Sequence, residues 1–168
     1  MLEAIRKRRS IRKYLDITVT GHQLETLFRS AMQAPSARNT RPWEFISVTD
    51  RELLSRIPEY HPYSSMVPSA GAAILVCGNK RKQPVTGYLA EDCSAAVQNI
   101  LLEAVNIGLG AVWLGVYPRE ERMAGMSELF GLPEHLVPMA LISLGVPGEE
   151  KPFDDRYDPD LIHENRWA

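Results

Sequence analysis

The stretch EDCSAAVQNILLEAVNIGLGAVWLG, Glu91 to Gly115, decides how this chain folds. Its middle, AAVQNILLEAVNI, is apolar around most of a helical circumference rather than along one stripe. Such a helix is buried on several sides, either at the centre of a domain or in a subunit interface. It is predicted to run from about Tyr88 to Ile107 and to stop at Gly108, a residue suited to a C-cap. AVWLGVY, Ala111 to Tyr117, then reads as a strand.

Outward from this pair, helices and strands alternate. Met1 to Arg9 reads as a short helix with Leu2 and Ile5 on one face. Thr20 and Gln23 form a capping box. The helix they open has the apolar face Leu24, Leu27, Phe28, Ala31 and Met32, and Pro35 ends it. Glu44 to Val48 is a short strand, and a second box, Thr49 with Glu52, starts a helix to about Ile57. AAILVC, Ala72 to Cys77, is a strand buried on both faces. Pro118 at the first helical position opens a helix to Phe130. Val137 to Leu144 is the last strand, which Pro138 would shorten. Alternation alone suggests an α/β fold with a parallel sheet. Two features oppose that reading. Two helices precede any strand, and residues 146–168 form a polar tail with no packed element of its own. The tail carries Trp167, whose indole needs a place of burial, and a partner subunit is one option.

The 168 residues suffice for one domain with a sizeable core. A net charge of −2 counts against a general nucleic-acid binder. No apolar run approaches the roughly 20 residues of a membrane span, and the N-terminus goes straight into charge with no apolar signal segment. Cys77 and Cys93 lack CxxC spacing and read as buried free thiols, so a reducing compartment, the cytoplasm, is expected. His22, His61, His135 and His163 are scattered without ligand spacing, and no metal site is expected.

Four stretches carry candidate chemistry. IRKRRSIRKY, Ile5 to Tyr14, holds six cations between Arg6 and Lys13. It reads as a nucleic-acid arm, a solvated helix end or a pocket for one dense anion. In extended backbone Arg8, Ser10 and Arg12 share a face, and Arg forks with a serine hydroxyl suit phosphate oxygens. APSARNTRPW, Ala34 to Trp43, is a Pro-bounded polar loop in which Ser36 and Asn39 offer short donors and acceptors. Gly108, Gly110 and Gly115 flank a strand where a ligand or simple packing would need close backbone approach. Lys151 and Arg156 in the tail are surface charges that could complete an anion cradle.

RRSIRKY, APSARNTRPWEF, EDCSAAVQNILLEAVNIGLGAVWLG and the ending GVPGEEKP with Arg156, His163 and Trp167 occur in order across nearly the whole chain. Together they resemble the FMN-dependent nitroreductase superfamily. The resemblance implies a single α+β domain over residues 1–168, with a central mixed or antiparallel sheet flanked by helices. It also implies an intertwined homodimer, with FMN at the interface and residues 146–168 wrapping the partner. It overrides the α/β reading. Carried over, Arg8 and Ser10 look like phosphate ligands with Arg9 beside them. Arg156 looks like the tail arginine that closes on the phosphate, and Lys151 like its helper. Arg12 would reach the N1/O2 edge of the flavin. Pro35, Ser36, Ala37 and Asn39 would line the ring from the other subunit. Leu114 and Gly115 would pass beside N5, one backbone N–H facing it. Arg12 and Gly115 are then the catalytic positions.

The implied activity is that of an NAD(P)H oxidoreductase reducing nitro compounds, quinones or similar small acceptors by ping-pong hydride transfer, with NADH or NADPH as donor. A fixed guanidinium at N1/O2 would stabilise the negative charge that collects there. Where this chain has Arg41 the family usually has Gln, so Arg41 is a candidate for an anionic substrate or a nicotinamide-cofactor phosphate, or points to solvent. His61 to Tyr88 is short for the helices that often roof the pocket, which predicts an open site. The alternatives are another flavin reaction in the same fold, such as dehalogenation or flavin fragmentation, a non-catalytic FMN sensor, and a nucleic-acid module built on the basic start.

Overall fold

The computed structural model describes residues 1–167. The chain forms an α+β fold in the order α1 (Glu3–Lys7), α2 (Gly21–Ala31), β1 (Trp43–Val48), α3 (Arg51–Arg56), β2 (Ala72–Asn79), α4 (Thr86–Asn106), β3 (Gly110–Gly115), α5 (Glu120–Phe130) and β4 (Leu136–Gly145). The four strands lie in the order β1-β2-β4-β3 and every neighbouring pair is antiparallel. The parallel sheet suggested by helix–strand alternation is therefore absent from these strands. The residues that join the strands do not cross over to a parallel neighbour but return the chain antiparallel. One parallel contact survives, a single bridge between Ser10 and Ala111 on the outer edge of β3.

β2 is buried along its whole length, as its unbroken apolar run requires. Alternate residues feed two cores. Ala72, Ile74 and Val76 pack with α2 and α4. Ala73, Leu75 and Cys77 pack with Leu54 of α3 and Met126 of α5. Each fully buried Leu or Ile contributes about 1.5–3 kcal/mol against exposure, so this central strand fixes the register of everything around it. β4 keeps Pro138 by bulging. Cys77 pairs with Pro138 and Val76 with Ala140, leaving Met139 without a partner on β2. The Met139 carbonyl instead accepts from the N–H groups of Val116 and Tyr117 (3.3 and 3.1 Å).

α4 buries Leu89, Cys93, Ala96, Val97, Ile100, Leu101 and Ala104 at helical spacing. It ends where Gly108 takes a left-handed φ of +78°. There Leu109 N–H donates to Ala104 O (2.7 Å) and Gly108 N–H to Val105 O (3.2 Å), a Schellman closure. The Thr20–Gln23 capping box is present in both halves. At α3 the cap is Asp50 rather than Thr49, its carboxylate accepting from Leu53 N–H (2.8 Å). α5 begins after Arg119, which is extended (φ −82°, ψ 108°), so Pro118 precedes the helix and does not start it.

The N-terminal segment after α1 lies along the free edge of β3. Ile11 N–H donates to Ala111 O (3.1 Å), and Leu15 N–H to Val146 O (2.9 Å). A Cβ on Gly110 would stand 2.8 Å from Ile11 Cγ2 and 2.9 Å from its Cβ, so glycine is what lets the segment approach. Residues 151–167 are exposed apart from a half-buried Lys151, and they carry Phe153, Tyr157, Leu161, Ile162 and Trp167 into solvent. Among the described residues no helix is long and apolar enough to cross a membrane.

Candidate active site

The segment 8–12 reaches its position because Ile11 is buried against Gly110 while Arg8, Ser10 and Arg12 face away from that contact. Its backbone is held from the tail. Arg12 N–H donates to Glu149 Oε1 (2.6 Å), and Lys151 Nζ donates to Ser10 O (2.5 Å) while pairing with the same Glu149 oxygen (3.3 Å). The hydrogen bond from Arg12 N–H, then burial in the opposite sense and the nearby Lys151, leave the Glu149 carboxyl below its ordinary range.

Besides a cleft of about 420 Å³ lined by Arg9, Ile11, Glu149 and Lys151, two clefts flank this segment. One, of about 300 Å³, is lined by Arg8, Arg9, Arg156 and Phe153 together with the acids Asp154 and Asp155. Burial, then the positive charges of Arg9 and Arg156, pull the Arg8 guanidinium below its usual value. The three guanidiniums outnumber the two carboxylates, so the cleft keeps a net positive charge that an anion can meet. Arg9 is already engaged: Nε donates to Pro152 O (2.7 Å), Nη1 donates to Arg6 O and Arg8 O (3.0 and 2.6 Å), and its guanidinium lies 5.5 Å from the Phe153 ring. It holds the start of the tail. Arg156 pairs through Nε with Asp154 (3.0 Å).

The second cleft, of about 440 Å³, brings Arg12, Leu114 and Gly115 together with His61, Tyr63 and Arg122. Ala111 O faces the outer edge of β3, since it accepts from Ile11. N–H and C=O of one strand residue point the same way and alternate along the strand, so Trp113 and Gly115 face outward too. Gly115 O accepts from His61 Nε2 (3.0 Å) and from Arg122 Nη1 (2.8 Å). His61 Nδ1 accepts from Tyr63 N–H (3.3 Å), which places the ring proton on Nε2. Gly115 N–H lies on the same open edge, and a Cβ there would meet nothing within 4 Å. An unpaired backbone donor beside a guanidinium, at a position without side-chain bulk, can contact the edge of a flat polar ring.

Pro35, Ser36, Ala37, Asn39 and Arg41 lie elsewhere. The clefts holding Arg8, Arg9, Arg12, Lys151 and Arg156 have no residue of this loop in their walls. The loop is strained: Arg38, Asn39 and Arg41 adopt left-handed φ of 54°, 55° and 47°, conformations that cost on the order of 1–3 kcal/mol each. Internal bonds compensate. Ser36 Oγ accepts from Arg41 N–H (2.9 Å), Asn39 Oδ1 accepts from Arg41 Nε (2.9 Å), and Asp92 Oδ1 of α4 accepts from Ala37 N–H (2.8 Å). The other Asp92 oxygen is buried without a partner.

His61, Tyr63, Arg122 and Asp92 are site residues that reading the sequence missed. Asp92 left a signal, an acid on an otherwise apolar helix face. His61 and Arg122 left none, because 54 and 7 residues separate them from Gly115. No lid helix lies between α3 and α4, only short turns and β2. Among the described residues no three His, Cys, Asp or Glu side chains converge as a metal site would need.

Comparison with known proteins places the chain in a family. The family model described as the Nitroreductase family matches residues 5–63 and 63–146. A protein of Methanothermobacter thermautotrophicus, provisionally named NADH dehydrogenase/NAD(P)H nitroreductase, is 49% identical over 167 residues, covering 99% of this chain and 87% of the relative. A crystal structure from Parabacteroides distasonis under the same provisional name is similar at a TM-score of 0.94 and 41% identity, covering 98% of this chain and 97% of that one. The structure of an FMN-dependent nitroreductase from Clostridium difficile is similar at a TM-score of 0.91 and 31% identity, covering 99% and 100%. This chain belongs to the nitroreductase family.

Proposed function

We propose that this protein is an FMN-dependent NAD(P)H oxidoreductase that reduces nitro compounds, quinones or similar small acceptors in two half-reactions at one site. The observation that carries the reading is that Arg12 and Gly115, whose N–H faces outward, line one cleft. The residues fit the cofactor on physical grounds. Arg8, Arg9 and Arg156 crowd positive charge where a phosphate would be held, and the glycine edge of β3 leaves room for a ring. When bound, FMN supplies a ring that takes hydride from NADH or NADPH and passes electrons to an acceptor. Arg8 and Arg156, with Ser10 on the same segment, would hold its phosphate. Arg12 would stabilise negative charge on the ring, and Gly115 N–H would offer it a backbone donor. Lys151 acts through Ser10 and Glu149, fixing the segment that carries these groups.

The working form is a homodimer. Residues 35–39 lie outside the Arg12 cleft and would line the ring of the second subunit. Residues 146–151 pack on segment 10–15 of their own chain, and the exposed tail beyond them would wrap the partner, which would cover Phe153, Tyr157, Leu161, Ile162 and Trp167. A cytoplasmic location follows from a nicotinamide-driven reaction and two buried free thiols. The test is the visible spectrum of the purified protein, taken anaerobically before and after NADH or NADPH. A flavin spectrum that bleaches, with colour restored by a nitro compound or quinone, is the expected result. A colourless protein that takes up no added FMN would overturn the proposal.

A further inference from the structure

We propose that Arg122 forms, with the Tyr63 ring, an anion-selective subsite for the electron acceptor, so that the preferred acceptors are flat conjugated molecules carrying a carboxylate or similar anionic group. The inference deepens the oxidoreductase reading and rests on it for the word acceptor.

The cleft that contains Gly115 is walled by two guanidiniums and by no carboxylate. Neither Arg12 nor Arg122 takes part in an ion pair among the described residues. Arg122 spends one N–H on Gly115 O. Its guanidinium carbon lies 5.3 Å from the centroid of the Tyr63 ring, a stack that fixes the plane of the fork. A guanidinium has five donors, so most of the fork remains for a ligand. His61 adds no opposing charge: its only ring proton is committed to Gly115 O. Tyr63 and Trp113 present exposed aromatic faces to the same cleft, at 68% and 38% relative exposure. Flat faces with a free, oriented Arg fork suit a planar acid, which the fork can take in two parallel hydrogen bonds. Arg41 lies outside this cleft of its own chain, with its Nε held by Asn39.

The test compares 4-nitrobenzoate with 4-nitrobenzamide, which share shape and differ in charge. Calorimetric titration of the oxidised protein, with no nicotinamide present, gives the two dissociation constants. Stopped-flow reoxidation of the chemically reduced flavin gives the two acceptor rate constants. Arg122→Gln keeps an N–H for Gly115 O and removes the charge, Arg122→Lys keeps the charge without the fork, and Arg122→Ala removes both. The parent protein is expected to prefer the carboxylate by at least tenfold. Arg122→Gln should lower the carboxylate-to-amide ratio by on the order of tenfold to a hundredfold in both measurements, and Arg122→Lys by less. An unchanged ratio, or an equal fall for both ligands, would mean that Arg122 only supports Gly115, and would overturn the proposal. A loss confined to reduction by NADH or NADPH would overturn it too and move Arg122 to the donor. A protein that holds no flavin refutes the oxidoreductase reading separately, since calorimetry still reports the charge preference.

Discussion

Replacing His61 by alanine tests the joint between the lower core and the open edge of β3. The imidazole is buried to 1% exposure and joins two places far apart in sequence, through Nε2–H to Gly115 O and Nδ1 to Tyr63 N–H. Each bond contributes about 1 kcal/mol net, and a cavity of this size costs about 2 kcal/mol more. Gly115 O keeps Arg122 at 2.8 Å and is not orphaned, so the expected loss is about 4 kcal/mol and no larger. That is a large share of a typical 5–15 kcal/mol and corresponds to a fall in Tm of about 10 °C. Denaturant unfolding at fixed protein concentration, with and without added FMN, measures it. His61→Gln can keep the bond to Gly115 and should lose less. The pH dependence supplies a second check. Burial, with help from the positive Arg122, lowers the His61 pKa below its ordinary 6.5, against the pull of the Gly115 bond. The folded state therefore binds fewer protons than the unfolded one. The contribution of His61 is complete above about pH 6.5 and fades as pH falls toward the lowered value. The stability gap between the parent and His61→Gln should narrow between about pH 7.5 and pH 5. An alanine variant within about 1 kcal/mol of the parent, or a gap that ignores pH, would refute the reasoning.

Gly110→Ala should displace Ile11, whose Cβ stands 2.9 Å from the added methyl, and cost about 1–3 kcal/mol together with much of the FMN affinity; unfolding and flavin titration measure both. Gly115→Ala meets no protein atom within 4 Å and should fold with parental stability, so any loss of FMN affinity reports the closeness of the ring. Arg8→Ala should weaken FMN binding by on the order of tenfold or more and leave riboflavin, which lacks the phosphate, bound as before; an equal effect on both would remove Arg8 from the phosphate site. Burial pushes the thiols of Cys77 and Cys93 up to about 12, so neither should react with an alkylating reagent at about pH 8 until the protein is denatured; mass spectrometry counts the adducts.

Much of this fold was legible in the chain because burial leaves a periodic trace. The run Ala72–Cys77 announced a central strand, and the helix centred on Ala96–Ala104 announced a core helix ended by Gly108. The Thr20–Gln23 box announced a helix start to the residue. Local chemistry of neighbours fixes such features. Where two local signals competed, geometry chose: Asp50 displaced Thr49 as the cap of α3, and a bulge at Met139 kept Pro138 inside β4. The charge run at Arg6–Lys13 marked a site but not its shape. The direction of the strands came only from the family resemblance, which implied a mixed or antiparallel sheet, since period and apolarity are the same in a buried parallel and a buried antiparallel strand.

The sequence by itself determined which segments are buried, the start of α2 and the end of α4, and that dense positive charge sits next to a serine near the start. The tertiary structure decided what that charge faces. It laid the segment 8–12 on the outer edge of β3, turned Gly115 N–H outward by strand alternation, and brought His61, 54 residues away, and Arg122, 7 residues away, onto one carbonyl. It also held the strained loop at 38–41 with an acid from α4. These are contacts between residues distant in the chain. They depend on the antiparallel return of the strands and on the packing of two cores, and no local period or spacing encodes them.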